Sequence, residues 1–271
     1  MLATGRLEGR QAWLLDANPD LVGCYETLRD RTDEVIDELA RLEQAHLTRG
    51  DAFYYEVRDT KFNPRRAAAP GAYAPDLAAM LIYLNRTGFN GLFRLNRRGA
   101  FNVPVGRYAN PTICDRAHLR QVAAALGDGR VKFEGGSFEV PLAAAGAGDF
   151  VYCDPPYAPL STTASFANYT AAGFGPQDQE RLFRLVLGAV NRGASVVLSN
   201  SSAPEIVEMY ASAEARRAGL VLSLVPARRS INSRAASRGT VDEVLVTTRT
   251  ALPVARPKPA VAALRRARRT A

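Results

Sequence analysis

Segments with strand character alternate with segments of helical character over most of the chain. Short apolar runs predict strands at residues 11–15, 131–133, 150–153, 195–198, 220–225 and 243–247. Amphipathic patterns between these runs predict helices, among them 115–126 and 177–191. This alternation is typical of an α/β fold, in which ligands bind at the carboxyl ends of the strands.

A mainly helical segment, residues 20–114, interrupts the alternation. Asn18 is placed to cap a helix whose first residue is Pro19, because an asparagine side chain accepts a backbone N–H and proline is tolerated in the first helical turn. A further helix is predicted over 75–83, and apolar residues at alternate positions predict a hairpin or looped ribbon over 97–108. The segment therefore reads as an insertion into the α/β fold.

This layout predicts three parts. Residues 1–19 and 115–252 form the α/β core, and residues 20–114 form the inserted domain. The tail, residues 253–271, carries six basic groups and no acidic group, and it lacks a core-forming pattern. We expect the tail to be disordered and to add nonspecific affinity for a polyanion.

The basic residues are concentrated in one part of the chain. The net charge is +8, yet residues 1–59 contain 7 basic and 13 acidic side chains, whereas residues 60–130 contain 11 basic and 3 acidic ones. Such a concentration predicts a face that binds a polyanion. We assign that role to residues 94–108, and we expect Arg65 and Arg66, in a Pro/Ala/Gly-rich link, to be solvated.

The composition argues against several other classes of protein. No apolar run approaches membrane length, and no signal peptide is visible. The three cysteines lack CxxC spacing and are accompanied by only two histidines, so we expect neither a disulfide framework nor a zinc site. We expect a cytoplasmic, monomeric protein that holds no metal.

The motif Asp154-Pro155-Pro156-Tyr157 follows the predicted strand at 150–153. It is open to a purely structural interpretation, because proline fixes φ, lacks a ladder donor and is common in turns. It is also open to a chemical one. A carboxylate and a neighbouring carbonyl held in one direction are two acceptors that suit an NH2 group in the plane of a conjugated ring, and Tyr157 can stack on that ring.

Four stretches occur in one order along the chain: YLNRTGFNGLFRLNRRGAFNVPVGRY (83–108), VYCDPPYAPLS (151–161), VVLSNS (196–201) and RRSINS (228–233). In this order they resemble the Dam-type DNA adenine methyltransferases. The resemblance implies a Rossmann-like sheet and the transfer of a methyl group from S-adenosylmethionine to a flipped adenine in double-stranded DNA, in GATC or a related site. Asp154, Pro155, Pro156 and Tyr157 would then be catalytic. Methylation of the cytosine amine is the weaker alternative, since that motif more often begins with serine.

Asp16, at the end of the first predicted strand, has two interpretations. An acid before Asn-Pro is an ordinary helix-entry residue. An acid at the end of the second strand of a Rossmann-like sheet instead accepts hydrogen bonds from ribose hydroxyls. The resemblance favours the second interpretation, in which Asp16 and Asp154 both contact the cofactor.

The resemblance also implies that the inserted domain opens the duplex. Phe89 matches an aromatic residue that wedges into DNA beside the target adenine, and Asn90 matches the residue that fills the vacated space. Flipping a base costs a few kcal/mol, which a wedge and a stacking pocket offset. The structural alternative is that Phe89 and Leu92 pack in a core and that Asn90 only makes a turn.

Further DNA contacts are implied for the same stretch. Leu92, Arg94 and Pro104 match positions that read base edges, with Arg94 directed to guanine. The expected contacts to phosphates or the DNA backbone are Arg98, Arg107 and Tyr108.

The sequence departs from the family at its beginning. A strand followed by a Phe-x-Gly-x-Gly turn, which cradles the methionine part of the cofactor, is expected before Asp16 and is not found there. FEGGSF (133–138) and the glycines at 146–148 are read as loops rather than strand-to-helix turns. The expected strand would lie centrally, between those that carry Asp16 and Asp154. We therefore keep open a DNA-binding remnant that lacks cofactor affinity.

Overall fold

The strands form two separate sheets. The computed structural model describes residues 10–160, 174–228 and 240–249, so the RRSINS stretch beyond Arg228 and the basic tail lie outside the described residues. In the first sheet, β1 (Ala12–Asp16) pairs in parallel with β2 (Val131–Gly135). The second sheet contains β3 (Phe150–Cys153), β4 (Ser195–Ser201), β5 (Leu220–Arg228) and β6 (Thr240–Thr248).

The second sheet is mixed. Its strand order is β3-β4-β6-β5, with β3 parallel to β4 and with β6 antiparallel to both of its neighbours. Four helices belong to this part of the chain: α6 (Glu139–Ala144), α7 (Pro176–Asn191), α8 (Pro204–Tyr210) and α9 (Ala213–Arg217). Apolar residues of α7, such as Leu182 and Val186, pack with Val196 and Leu198 of β4 in one buried cluster. The predicted α/β class is confirmed, and every predicted strand is present with bounds that differ by at most three residues.

Helices dominate the chain between β1 and β2. They are α1 (Pro19–Asp30), α2 (Thr32–Glu56), a π-helical segment (Val57–Phe62), α3 (Asn63–Ala68), α4 (Pro75–Thr87) and α5 (Arg116–Leu126). The Asn18 side chain accepts from Asp20 N at 3.0 Å, and Pro19 is the first residue of α1, as predicted. Arg31, with φ −135° and ψ 46°, breaks the long amphipathic pattern into α1 and α2.

These helices enclose their own hydrophobic core. It runs from Cys24 in α1 to Ala123 in α5 and includes the large, fully buried rings of Tyr54, Phe62, Tyr83 and Phe101. The buried residues of the second sheet form a different cluster, from Leu142 to Val246. Each cluster removes apolar surface from water within its own part of the chain, which is the main source of stability for each part.

The two sheets are not joined by a strand among the described residues. β1 is paired only with β2, and β3 only with β4, so each has one unpaired edge. On β3, Phe150 and Tyr152 are 49% and 61% exposed. Within the described ranges, no hydrogen bond or ion pair links residues 10–136 to residues 137–249. The family resemblance predicts a further central strand between the edges of β1 and β3.

The interpretation of FEGGSF as a loop is wrong. Its first three residues belong to β2, and the next three lead directly into α6, so the stretch is a strand-to-helix connection. Pairing across the first sheet extends the strand, because Leu15 lies opposite Glu134 and Gly136 N donates to Asp16 O at 3.1 Å. The glycines at 146–148 do lie outside helices and strands, as expected.

The expectation that Arg65 and Arg66 are simply solvated is wrong for Arg66. Its guanidinium lies 2.6 Å from the carboxylate of Asp20, and the two side chains are only 14% and 2% exposed. The hydroxyl of Tyr73 also donates to Asp20, at 3.0 Å. Arg65 pairs with Asp76 at a more exposed position. Arg66 thus attaches the Pro/Ala/Gly-rich segment to α1 through a buried ion pair with Asp20, which the sequence pattern does not reveal.

This contrast predicts unequal effects on stability. Arg66→Ala leaves the carboxylate of Asp20 buried without its cation, which should lower the free energy of unfolding by about 3–5 kcal/mol. Arg65→Ala removes an exposed pair and should cost less than about 1 kcal/mol. Urea unfolding at neutral pH measures both values. Equal losses for the two variants would contradict the assignment of Arg66 as a buried partner.

Candidate functional site

Asp154 lies at the carboxyl end of β3, beside the end of β4. Parallel pairing of Cys153 with Leu198 brings Ser199 next to Asp154, and the Ser199 hydroxyl donates to Asp154 Oδ1 at 2.8 Å. Asp154 Oδ2 accepts no hydrogen bond from the described residues, and the residue is exposed. The carboxylate is therefore oriented by the protein on one side and open to a ligand on the other.

Tyr157 lies within the same group. Its hydroxyl donates to Glu243 Oε2 of β6 over a long 3.4 Å. Burial, with smaller contributions from the nearby carboxylates of Glu243 and Asp154, raises the pKa of Tyr157, whereas a hydrogen bond with Ser199 lowers it. The hydroxyl stays protonated at neutral pH, so Tyr157 offers a neutral ring and a hydroxyl.

Three buried polar residues hold the chain around Tyr157. Gln179 of α7 donates from Nε2 to Pro156 O at 2.9 Å. Asn200 of β4 accepts from Ala158 N at 3.1 Å, and Ser201 donates to Ala158 O at 2.6 Å. The sequence pattern gives no role to these residues. The stretch VVLSNS carries part of the family resemblance, but only the folded structure shows which of its side chains contact the Asp154 motif.

Asp16 ends β1, where the predicted ribose contact was placed. Its Oδ1 accepts from Asn18 N at 2.7 Å, while its other carboxylate oxygen accepts nothing from the described residues. The Nδ2 of Asn18 is buried and has no hydrogen-bond partner in the described part of the chain. An open carboxylate and an unpaired amide donor thus lie at the start of α1.

The structure does not bring all predicted site residues together. Asp154, Pro155, Pro156 and Tyr157 are contiguous and share the ends of β3 and β4. Asp16 lies in the other sheet, and no hydrogen bond among the described residues connects it to the Asp154 motif.

The basic stretch folds as an irregular ribbon, residues 88–108. Two isolated bridges, Gly88 to Val105 and Leu95 to Phe101, replace continuous strands, in keeping with the predicted looped ribbon. Gly88 has no room for a side chain, since a Cβ there would lie 2.4 Å from Leu84 O. Close approach of backbone segments therefore fixes where the ribbon leaves α4.

Side chains of the neighbouring helices anchor the ribbon. Asn63 binds Phe101 twice, donating to its carbonyl at 3.0 Å and accepting from its N–H at 2.8 Å, as an adjacent strand would. Tyr54 and Arg58 each donate to Val103 O at 2.9 Å. The inward residues Phe101 and Val103 are buried in the helical core.

All but one of the residues predicted to contact DNA are exposed on this ribbon. Phe89 is 42% exposed and Tyr108 46% exposed, whereas Leu92 is half-buried and packs against the helical core. Asn90 adopts a left-handed conformation with φ 54°, which is uncommon outside glycine and shapes the turn that carries Phe89. The other exposed members of the predicted set are Arg94, Arg98, Pro104 and Arg107.

The arginines of this region are not neutralised by acidic side chains. Residues 77–114 contain five arginines and no acidic residue. None of the five forms an ion pair in the described structure, in contrast to Arg58, Arg65 and Arg66 of the preceding helices. Arg94 is nevertheless oriented, because it donates to Asn102 Oδ1 at 2.8 Å and to Asn102 O at 3.1 Å. The ribbon thus presents unpaired positive charge to a polyanion.

Metal sites and membrane-spanning helices are two other features to consider in the described part of the chain. The described residues contain no cluster of histidine, cysteine, aspartate and glutamate suited to a metal ion. Among the described helices, none combines the length and the apolar character that crossing a membrane requires. The three cysteines, Cys24, Cys114 and Cys153, are free thiols.

Known proteins are similar in sequence to this chain over most of its length. A type II methyltransferase of Lactococcus lactis subsp. cremoris is 34% identical over 241 residues, which cover 89% of this chain and 80% of the relative. A DNA adenine methylase of Escherichia coli K12 is 37% identical, covering 86% of this chain and 77% of the relative. A type II methyltransferase of Methanocaldococcus jannaschii is 39% identical over 72% of this chain and 67% of its own length.

A family model gives the same result. The model of the D12 class N6 adenine-specific DNA methyltransferases matches residues 1–220. The match includes the Asp154 motif, the ribbon and the Ser199 to Ser201 end of β4. The predicted alternative of a cytosine enzyme is left without support. The chain therefore belongs to the D12 class of N6 adenine-specific DNA methyltransferases and is a site-specific adenine methyltransferase of DNA.

Proposed function

We propose that this protein transfers a methyl group from S-adenosylmethionine to the N6 amine of a flipped adenine, in GATC or a related guanine-containing site. The observation that carries the proposal is the end of β3, where Asp154 keeps one carboxylate oxygen open beside the ring of Tyr157. The exposed, unpaired arginines of the ribbon support duplex DNA as the partner.

The adenine amine donates two hydrogen bonds to the motif. Asp154 Oδ2 is one acceptor, because Ser199 already occupies Oδ1. The carbonyl of Pro156 is committed to Gln179, so the carbonyl of Pro155 is the second. Hydrogen bonds accepted from both N–H groups of the amine shift electron density back to its nitrogen, whose lone pair is otherwise delocalised into the ring. Tyr157 stacks on that ring.

The cofactor contacts Asp16 and Asp154. Asp16 suits a ribose diol, since one carboxylate oxygen is open to hydroxyl donors. When bound, S-adenosylmethionine supplies an electrophilic methyl group. The protein contributes the orientation of the amine.

The ribbon recognises the target in two ways. Phe89 and Asn90 open the duplex, while Leu92, Arg94 and Pro104 read base edges. Asn102 already holds the guanidinium of Arg94, which leaves further N–H donors for guanine O6 and N7. Phosphates or the DNA backbone are contacted by residues that are exposed and form no ion pair in the described structure: Arg98, Arg107 and Tyr108.

The role of Asp154 is tested by removing its carboxylate. Asp154→Ala should remove about 2–4 kcal/mol of transition-state stabilisation and so slow methyl transfer, while DNA affinity changes little. Single-turnover transfer of a labelled methyl group to duplex DNA, together with DNA binding by anisotropy, separates the two effects. Near wild-type transfer by this variant would remove Asp154 from the mechanism.

The role of Arg94 is tested against that of Arg98. Arg94→Ala should lose about 1–3 kcal/mol of discrimination at one guanine, whereas Arg98→Ala should weaken binding to all sequences and reduce the salt slope by about one. Sequencing of methylated sites and binding titrations at several salt concentrations measure these effects. A wild-type target that contains no guanine would contradict the assignment.

The cofactor contacts are tested at Asp16. Its open carboxylate oxygen is the proposed acceptor of the ribose hydroxyls, so Asp16→Ala should weaken binding of S-adenosylmethionine by about 1–3 kcal/mol. Calorimetry measures the affinity of both chains, and the ligand should raise the melting temperature of the wild type more than that of the variant, since only binding to the native state stabilises it. Equal affinities would remove Asp16 from the cofactor site, and a wild type that binds no cofactor would favour the DNA-binding remnant.

A further inference from the structure

A buried polar group lies behind the catalytic motif. Gln179 is 4% exposed, Asn200 0% and Ser201 7%, so all three side chains are shielded from water. They also bind one another: Asn200 Nδ2 donates to Gln179 Oε1 at 3.0 Å, and Ser201 N donates to Asn200 Oδ1 at 2.8 Å. We name Gln179, Asn200 and Ser201 the loop clamp.

The loop clamp holds the backbone on both sides of Tyr157. Before Tyr157, the carbonyl of Pro156 accepts from Gln179 Nε2 at 2.9 Å. After Tyr157, the N–H and the carbonyl of Ala158 bind Asn200 and Ser201 at 3.1 and 2.6 Å. The prolines already restrict φ before the clamp, so few backbone torsions around Tyr157 remain variable.

Stability alone does not require polar side chains at these positions. The surroundings are apolar, with Leu182, Phe183 and Leu198 among the buried residues of the same cluster. Buried polar groups are useful where a unique arrangement matters, because an unmade hydrogen bond costs more than an alternative apolar contact gains. Here the polar groups from α7 and β4 converge on two residues of a single loop.

We propose that Gln179, acting with Asn200 and Ser201, is a positioning residue that fixes the ring of Tyr157 and the Pro155 carbonyl where the target adenine enters. The inference rests on the proposed roles of the Asp154 motif. Gln179 contacts neither substrate nor cofactor and acts only through the backbone of the loop.

The direction of the hydrogen bonds makes Gln179 testable. Its amide must donate to Pro156 O and accept from Asn200 Nδ2 at the same time. Gln179→Glu keeps the shape, but an ionised carboxylate cannot donate to a carbonyl. A carboxyl at this buried position has a raised pKa, since burial disfavours the charged form. Acidification protonates it, and the resulting O–H restores the missing donor.

The experiment compares Gln179→Glu, Gln179→Ala and a control, Gln177→Glu. Gln177 lies exposed on the same helix, so the control makes the same change of charge without touching the loop clamp. Two readouts need no turnover: the amide hydrogen exchange of Ala158, and the affinity for a DNA duplex that carries 2-aminopurine at the target adenine, followed by its fluorescence. The third is the single-turnover rate of methyl transfer, measured from pH 5.5 to 8.5.

We expect both Gln179 variants to speed exchange at Ala158 by about tenfold at neutral pH, the effect of losing one buried hydrogen bond. The rate of methyl transfer should fall by about 10- to 100-fold, as displacement of a reacting group by about 1 Å can cause. DNA affinity should stay within about twofold, because the ribbon is untouched. Gln179→Glu should recover exchange protection and rate as the pH falls, while Gln179→Ala should not.

Two results would overturn the inference. One is a Gln179→Glu variant that behaves as Gln177→Glu does in all three measurements. The other is an equal loss of DNA affinity and rate for both Gln179 variants with no recovery on acidification, which would show a merely structural role. Failure of the proposed catalytic roles is distinguishable, because it appears as an active Asp154→Ala variant and leaves the exchange results unaffected.

Discussion

The parallel pairing of β3 with β4 is the constraint on which the proposed catalytic site depends. It sets Cys153 opposite Leu198, and the next residue of each strand, Asp154 and Ser199, then meet through a 2.8 Å hydrogen bond. Because side chains alternate along a strand, Ser199 and Asn200 point to opposite faces of the sheet. One orients the carboxylate, and the other holds the chain beyond Tyr157 from the buried side. A change of one residue in the register between β3 and β4 would separate Ser199 from Asp154, because it moves side chains to the other face of the sheet.

The ribbon follows a different principle, in which an irregular backbone is held by side chains of the helices around it. Asn63 takes the place of a neighbouring strand for Phe101, and Arg66 reaches from its buried pair with Asp20 to the carbonyl of Gly99. Such anchors let the outer side chains face solvent without weakening the core. Positive charge is then concentrated where no carboxylate competes with a DNA phosphate.

The proposed site has two parts, Asp16 and the Asp154 motif, which only the proposed function connects. Asp16 and the Asp154 motif lie in separate sheets, and the described residues join them by no hydrogen bond. In the proposed function, the ribbon recognises DNA, the Asp154 motif orients the amine, and the cofactor contacts both Asp16 and Asp154.

Local features were determined by the sequence alone, because they depend on neighbours in the chain. The cap at Asn18, the end of β3 before Asp154-Pro155-Pro156 and the alternation that buries Phe101 while exposing Pro104 were all predictable from residue types and spacing. The tertiary structure alone decided contacts across long separations. The pairing of Arg66 with Asp20 and the hydrogen bond from Gln179 to Pro156 join residues 46 and 23 positions apart. The extension of β2 depends on Leu15, which lies opposite Glu134 in the first sheet. No local pattern encodes such partners, since buried hydrogen bonds are selected by the packing of whole elements and not by the sequence around either residue.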